Sequence, residues 1–141
     1  MRMVLVYLRN GNIYVHPLVK GTAGFWMAVP PFARIEISDT EGLTRALIAS
    51  MNSAHITDAP ATSDSLLAPL YRLANVDTWK DFASRDCQAV SIEIDDNISR
   101  LILQDNRGPK DGFVDTDTVL EIGNGDLTAL HKALMKLFGI G

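Results

Sequence analysis

The chain is poor in the residues that usually carry chemistry: one cysteine, three histidines and 7% aromatics among 141 positions. A lone thiol, Cys87, closes no internal disulfide, which excludes a disulfide-stapled scaffold and favours a reducing, cytoplasmic setting. No apolar run approaches the ~20 residues of a membrane helix. The opening apolar stretch, residues 3–8, is too short for a secretory signal and has no small-residue cleavage site. Internal repeats and low-complexity tracts are missing, as is any basic patch interleaved with aromatics, so direct binding of nucleic acid is not expected. What remains is ordinary globular composition, 47% hydrophobic and 21% charged. A chain of this length buries roughly two-thirds of its unfolded surface, enough for one domain spanning residues 1–141.

Charge is unevenly spread around a net −4. Residues 1–50 carry +2, residues 51–92 carry −2, and residues 127–141 return +2. Residues 93–126 hold nine acidic groups against Arg100, Arg107 and Lys110, for −6, which exceeds the charge of the whole molecule. Such a field repels nucleic acid and speeds encounter with basic partners. It is equally the field of a merely solubilising face.

Two hairpins stand out. Asn10-Gly11 between β-favouring runs predicts a tight turn that sets Leu8 opposite Ile13, Tyr7 opposite Tyr14 and Val6 opposite Val15. One face then holds Val4, Val6, Leu8, Ile13 and Val15; the other holds Leu5, Tyr7, Tyr14 and His16. In the acidic half, Val90, Ile92 and Ile94 alternate with Ser91, Glu93 and Asp95, and Asp96-Asn97 is the turn to a return strand over 98–104. That register opposes Ile92 to Leu101, Val90 to Leu103 and Glu93 to Arg100.

Between the hairpins, Gly21-Thr22-Ala23-Gly24 reads as a break, followed by short strands over 25–29 and 33–37 separated by Pro30-Pro31. Ser38-Asp39-Thr40-Glu41 has capping-box spacing and predicts a helix over about 40–54. Residues 55–64 read as a surface loop, 65–74 as a helix interrupted by Pro69 or as irregular structure, and 75–85 as a short helix. Strand is expected at 113–114 and again at 118–122, with Asp115-Thr116-Asp117 between. Asp126 then caps a helix with Leu127, Leu130, Leu134 and Leu137 on one stripe, stopped at Gly139. Strands grouped in hairpins predict an α+β domain: an antiparallel sheet packed by about three helices.

Few residues read as chemistry. His16, His55 and His131 lack metal-ligand spacing, and no metal or other cofactor is expected. His55 lies near Asp58 without a nucleophile. Asp115 and Asp117 offer hard-cation oxygens but lack the further ligands of a calcium loop. Gly108, Gly112, Gly123 and Gly125 fit no phosphate-binding pattern. An enzymatic alternative, a small cytoplasmic hydrolase-like enzyme, requires His16 with Tyr7 and Tyr14, or Cys87 with a histidine, to converge in a concave pocket.

Three features together carry a family resemblance: the first hairpin leading into Gly21-Thr22-Ala23-Gly24, Phe25-Trp26 and Pro30-Pro31; Trp79-Lys80-Asp81-Phe82 before an alternating strand; and Gly112-Phe113 followed by Thr118-Val119-Leu120-Glu121-Ile122 and a Leu-rich helix. The arrangement resembles immunity proteins of bacterial contact-dependent growth inhibition systems. The resemblance implies a protein that binds a cognate toxin's C-terminal domain in the cytoplasm, commonly a nuclease, and blocks it without catalysis. Binding residues do not transfer one by one. On charge and expected exposure, the candidate toxin-binding residues are Glu93 and Asp95 on a strand's polar side, Asp96 at its turn, Asp105, Asp111, Asp115 and Asp117 on following loops, and Phe113 as an apolar contact. The rival outside catalysis is a general adaptor domain, or a homo-oligomer using Phe25, Trp26 or Phe113 as anchors.

Overall fold

A computed structural model describes residues 2–20, 24, 26–53, 67–84 and 86–140. The break at 21–23, Phe25, the 55–64 loop with His55 and Asp58, and the first residues of the 65–74 segment lie outside the described residues.

The chain opens with the expected hairpin, β1 (Arg2–Arg9) and β2 (Asn12–Lys20), in the register read from the sequence. Asn10 and Gly11 both take positive φ, 51° and 76°, as a two-residue turn matched to strand twist requires. β3 (Trp26–Ala28) and β4 (Ala33–Glu36) pair with different stretches of β2, at its C-terminal and N-terminal parts respectively. The second hairpin, β5 (Gln88–Ile94) and β6 (Ile98–Asn106), also keeps the expected register. β5 joins the sheet against β1, and β7 (Phe113–Gly123) pairs with β6. All pairs are antiparallel, in the order β3-β2-β1-β5-β6-β7 with β4 beside β2.

Among the described residues, four helices accompany the sheet, two of them long: α1 (Thr40–Ser53), α2 (Ala68–Ala74), α3 (Trp79–Phe82) and α4 (Leu127–Phe138). α1 starts at Thr40, as the sequence predicts, but its cap is the second residue of the capping-box motif rather than the first. Asp39, not Ser38, accepts from the Gly42 amide at 2.9 Å, and its carbonyl accepts from Leu43. Pro69 does not interrupt α2; it sits in its first turn, where a missing amide costs no intrahelical bond. Thr78 caps α3, Asp126 caps α4, and Gly139 closes α4 with φ 73°. β7 is one strand rather than two: the ladder absorbs residues 116–118 as an irregularity opposite the Ile102–Gln104 stretch, and the Thr116 hydroxyl donates to the Leu103 carbonyl at 2.7 Å.

The two sheet faces are built differently. One carries Val4, Val6, Ile13, Val15, Val90, Ile92, Ile94 and Leu101, covered by Leu43 and Leu47 of α1 and by Leu130, Leu134 and Phe138 of α4. Each fully buried aliphatic side chain here contributes about 1.5–3 kcal/mol of transfer free energy. The opposite face holds a smaller cluster at one end, where Leu70 of α2 and Phe82 of α3 pack on Tyr7, Tyr14 and Ala89. Phe82 meets Tyr7 and Tyr14 edge-on, at centroid distances of 5.0 and 5.4 Å, and the Arg9 guanidinium lies over its ring.

Candidate functional site

The eight candidate residues do not form one contiguous surface. Asp95 and Asp96 occupy the turn before β6, while Asp105 and Asp111 lie at and beyond its other end. Nine residues of β6 set these two groups about 26 Å apart at the usual strand rise. Asp105 is paired with Arg107 at 3.3 Å. Phe113 is half-buried and turned into the aromatic cluster, its ring 5.6 Å from Tyr7 and 5.9 Å from Trp79.

Glu93 and Asp115 share a sheet face. The register places Glu93 beside Arg100 and Arg100 beside Glu121, so one guanidinium bridges carboxylates on both neighbouring strands, at 3.7 Å each. Farther along the same face, Gln104 donates from Nε2 to the Asp115 carboxylate at 2.9 Å. Asp117 is exposed on the irregular part of β7.

Sequence reasoning missed the apolar members of this strip. Ile98 is 41% exposed and Val119 38%, and both share the Arg100 face. Strand parity held the clue. Ile98 is two residues from Arg100, and Val119 stands between Asp117 and Glu121, so each alternates with the charged set rather than with Leu101 or Leu120. Gly123, opposite Ile98, has no side chain to cover it, and nothing lies within 4 Å of where its Cβ would stand. Beside this end of the strip opens a cleft of about 610 Å³, with Asp95, Asp96, Ile98 and Arg100 in its wall.

The residues required by an enzymatic reading do meet, but in the interior. Tyr7 and His16 lie with ring centroids 5.8 Å apart, and Phe32 covers the other side of the imidazole at 5.1 Å. His16 Nδ1 is 3.0 Å from the Pro17 carbonyl oxygen, so the tautomer that donates there leaves Nε2 as an acceptor without a partner. Burial lowers the His16 pKa to about 4, against the smaller opposing effect of that hydrogen bond. Burial also raises Tyr7, and it pushes the Cys87 thiol up to about 12, with Arg9 opposing. A thiol held that high is not a nucleophile near neutral pH. Four surface clefts formed by described residues have none of Tyr7, Tyr14, His16 or Cys87 in their walls. Among the described residues, no three histidine, cysteine or carboxylate side chains are grouped to hold a metal ion.

No family model matches the sequence, and neither does any curated protein. Solved structures do share its fold. A protein of unknown function from Neisseria meningitidis superposes with a TM-score of 0.71 at 10% identity, over 96% of this chain and 92% of that one. A chain of the CdiA-CT/CdiI toxin and immunity complex from Yersinia pseudotuberculosis superposes with a TM-score of 0.71 at 11% identity, over 98% of this chain and 95% of that one. The α+β architecture is therefore one also found in a CdiA-CT/CdiI toxin and immunity complex.

Proposed function

We propose that this protein is an immunity protein, which binds the C-terminal domain of a contact-dependent growth inhibition toxin and blocks it without catalysis. The observation that carries the reading is the near-complete fold shared with a chain of a toxin and immunity complex, over 98% of the present chain. Fold alone does not fix function, so the chemistry of this chain must supply the rest. A toxin acting on its own substrate needs an accessible catalytic group. Here the Tyr7–His16 pair and Cys87 are buried, and burial shifts His16, Tyr7 and Cys87 away from useful titration. The negative 93–126 segment suits a basic partner, such as a nuclease whose substrate groove is cationic. Inhibition then works by occlusion in the cytoplasm, with protein carboxylates standing where phosphates would bind.

Co-expression with the C-terminal domain of the toxin encoded beside this gene tests the reading. Cells expressing both should survive and the two chains should co-purify, whereas this chain expressed alone should be harmless. Death of cells expressing this chain alone would assign it to the toxin side. Failure to protect or to co-purify would remove the immunity reading.

A further inference from the structure

We infer that the exposed strip of β6 and β7, together with the cleft at its Ile98 end, is the surface on which the partner docks. The inference rests on the immunity reading and specifies where that contact is made. Exposed large hydrophobic side chains are few among the described residues: Ile48 on α1, and Ile98 and Val119, which share this sheet face. Apolar groups ringed by charge are the pattern of an interface with a dry centre and a polar rim. The strip has both parts. Ile98 and Val119 are its apolar points, and the 610 Å³ cleft gives a partner side chain somewhere to enter.

Charge selects the occupant. Among the described residues, six carboxylates, Glu93, Asp95, Asp96, Asp115, Asp117 and Glu121, stand on the strip or at the cleft, with Arg2 and Arg100 as the cations. Both guanidiniums are engaged internally: Arg2 donates to the Met51 carbonyl, and Arg100 bridges Glu93 and Glu121. Among the described residues, no ion pair holds Asp95, Asp96 or Asp117. The matching partner is a protein surface that presents apolar side chains among lysines and arginines. A second copy of this chain fits poorly, because the same strip on both sides would appose carboxylates.

Gly123 gives a clean probe, since a side chain there enters open space yet stands beside Ile98. Binding of the purified toxin domain should weaken at least tenfold for Gly123→Thr and for Val119→Lys, with each free protein retaining its circular dichroism spectrum and melting within a few degrees of wild type. Glu41→Lys, which also places a lysine on an exposed surface but on α1, should bind within twofold of wild type. Wild-type binding that survives Gly123→Thr and Val119→Lys within twofold would place the interface elsewhere and overturn the inference, leaving the immunity role standing. Light scattering that shows a wild-type dimer lost in these variants, with toxin affinity intact, would make the occupant a second copy and also overturn it. Absence of wild-type binding would instead strike the immunity role itself.

Discussion

The two faces of the sheet divide the work of this molecule. The face under α1 and α4 is aliphatic from β2 to β7, with its strand side chains buried at the centre and partly buried toward β7. The other face changes character along its length, from an aromatic cluster under α2 and α3 to the charged, partly apolar strip on β6 and β7. A sheet needs a well-covered apolar face on three or more strands, or helix packing, to be stable. The second face is then free to be specialised, and here its aromatic end adds to the core while its open end stays exposed.

On that division, the sharpest damage comes from the aromatic end, despite its small size. Phe82→Ala removes a fully buried ring packed on Tyr7, Tyr14 and Trp79. It should cost about 3–5 kcal/mol in denaturant unfolding, comparable to Leu101→Ala on the aliphatic face. A cost below 1 kcal/mol would show that α2 and α3 are not part of the cooperative core. Next in size is a pH effect from the same end. His16 has a folded pKa of about 4 against an ordinary 6.5, so between these values the unfolded chain binds the proton and the native chain does not. Stability contributed by neutral His16 is complete above about pH 6.5 and falls as pH drops toward 4, by about 3 kcal/mol. Urea titrations at several pH values should show this slope in wild type and lose it in His16→Leu. An unchanged slope would mean that the imidazole is not shielded as its burial implies.

The aliphatic face was legible because its signals are local. The Asn10-Gly11 turn and the alternation of residues 90–94 fix their registers within a few residues, and α4 announces itself by its cap, its leucine stripe and Gly139. Smaller errors also have local causes. Asp39 outcompetes Ser38 as a cap, Pro69 begins α2 instead of breaking it, and β7 continues through Asp115-Thr116-Asp117 because the irregularity keeps the strand on the β6 ladder. The second face was legible only within each hairpin, as Tyr7 opposite Tyr14 and Glu93 opposite Arg100. Pairing of β1 with β5 joins residues 80 to 92 positions apart, and no local pattern encodes it. For the same reason the acidic candidates, close in sequence, could not be seen to lie at opposite ends of a strand.

Helix ends give an intermediate test. The Asp126 carboxylate accepts from the Ala129 amide at 3.0 Å, holding the start of α4 over β5, β6 and β7. Asp126→Ala should cost about 1 kcal/mol, within the usual range of 0.5–2 for a lost cap, with Asp126→Asn close to wild type. Thermal melts of the pair would separate the cap from the charge: equal loss in both variants would assign the effect to electrostatics rather than to the hydrogen bond.

The smallest expected effect tests the open end most directly. Arg100 bridges Glu93 and Glu121, but its side chain is 39% exposed and both contacts are 3.7 Å, so solvent and salt screen the pairs. Arg100→Met keeps much of the stem's packing and removes the charge. Its cost in stability should stay below about 1 kcal/mol and shrink in high salt. The same substitution makes the strip more negative by one, so association with a cationic partner should quicken at low ionic strength rather than slow. A loss above 2 kcal/mol would mean that the charged ladder holds the β5–β6–β7 end together. The strip would then be part of the fold's own structure, not a surface kept open for another protein.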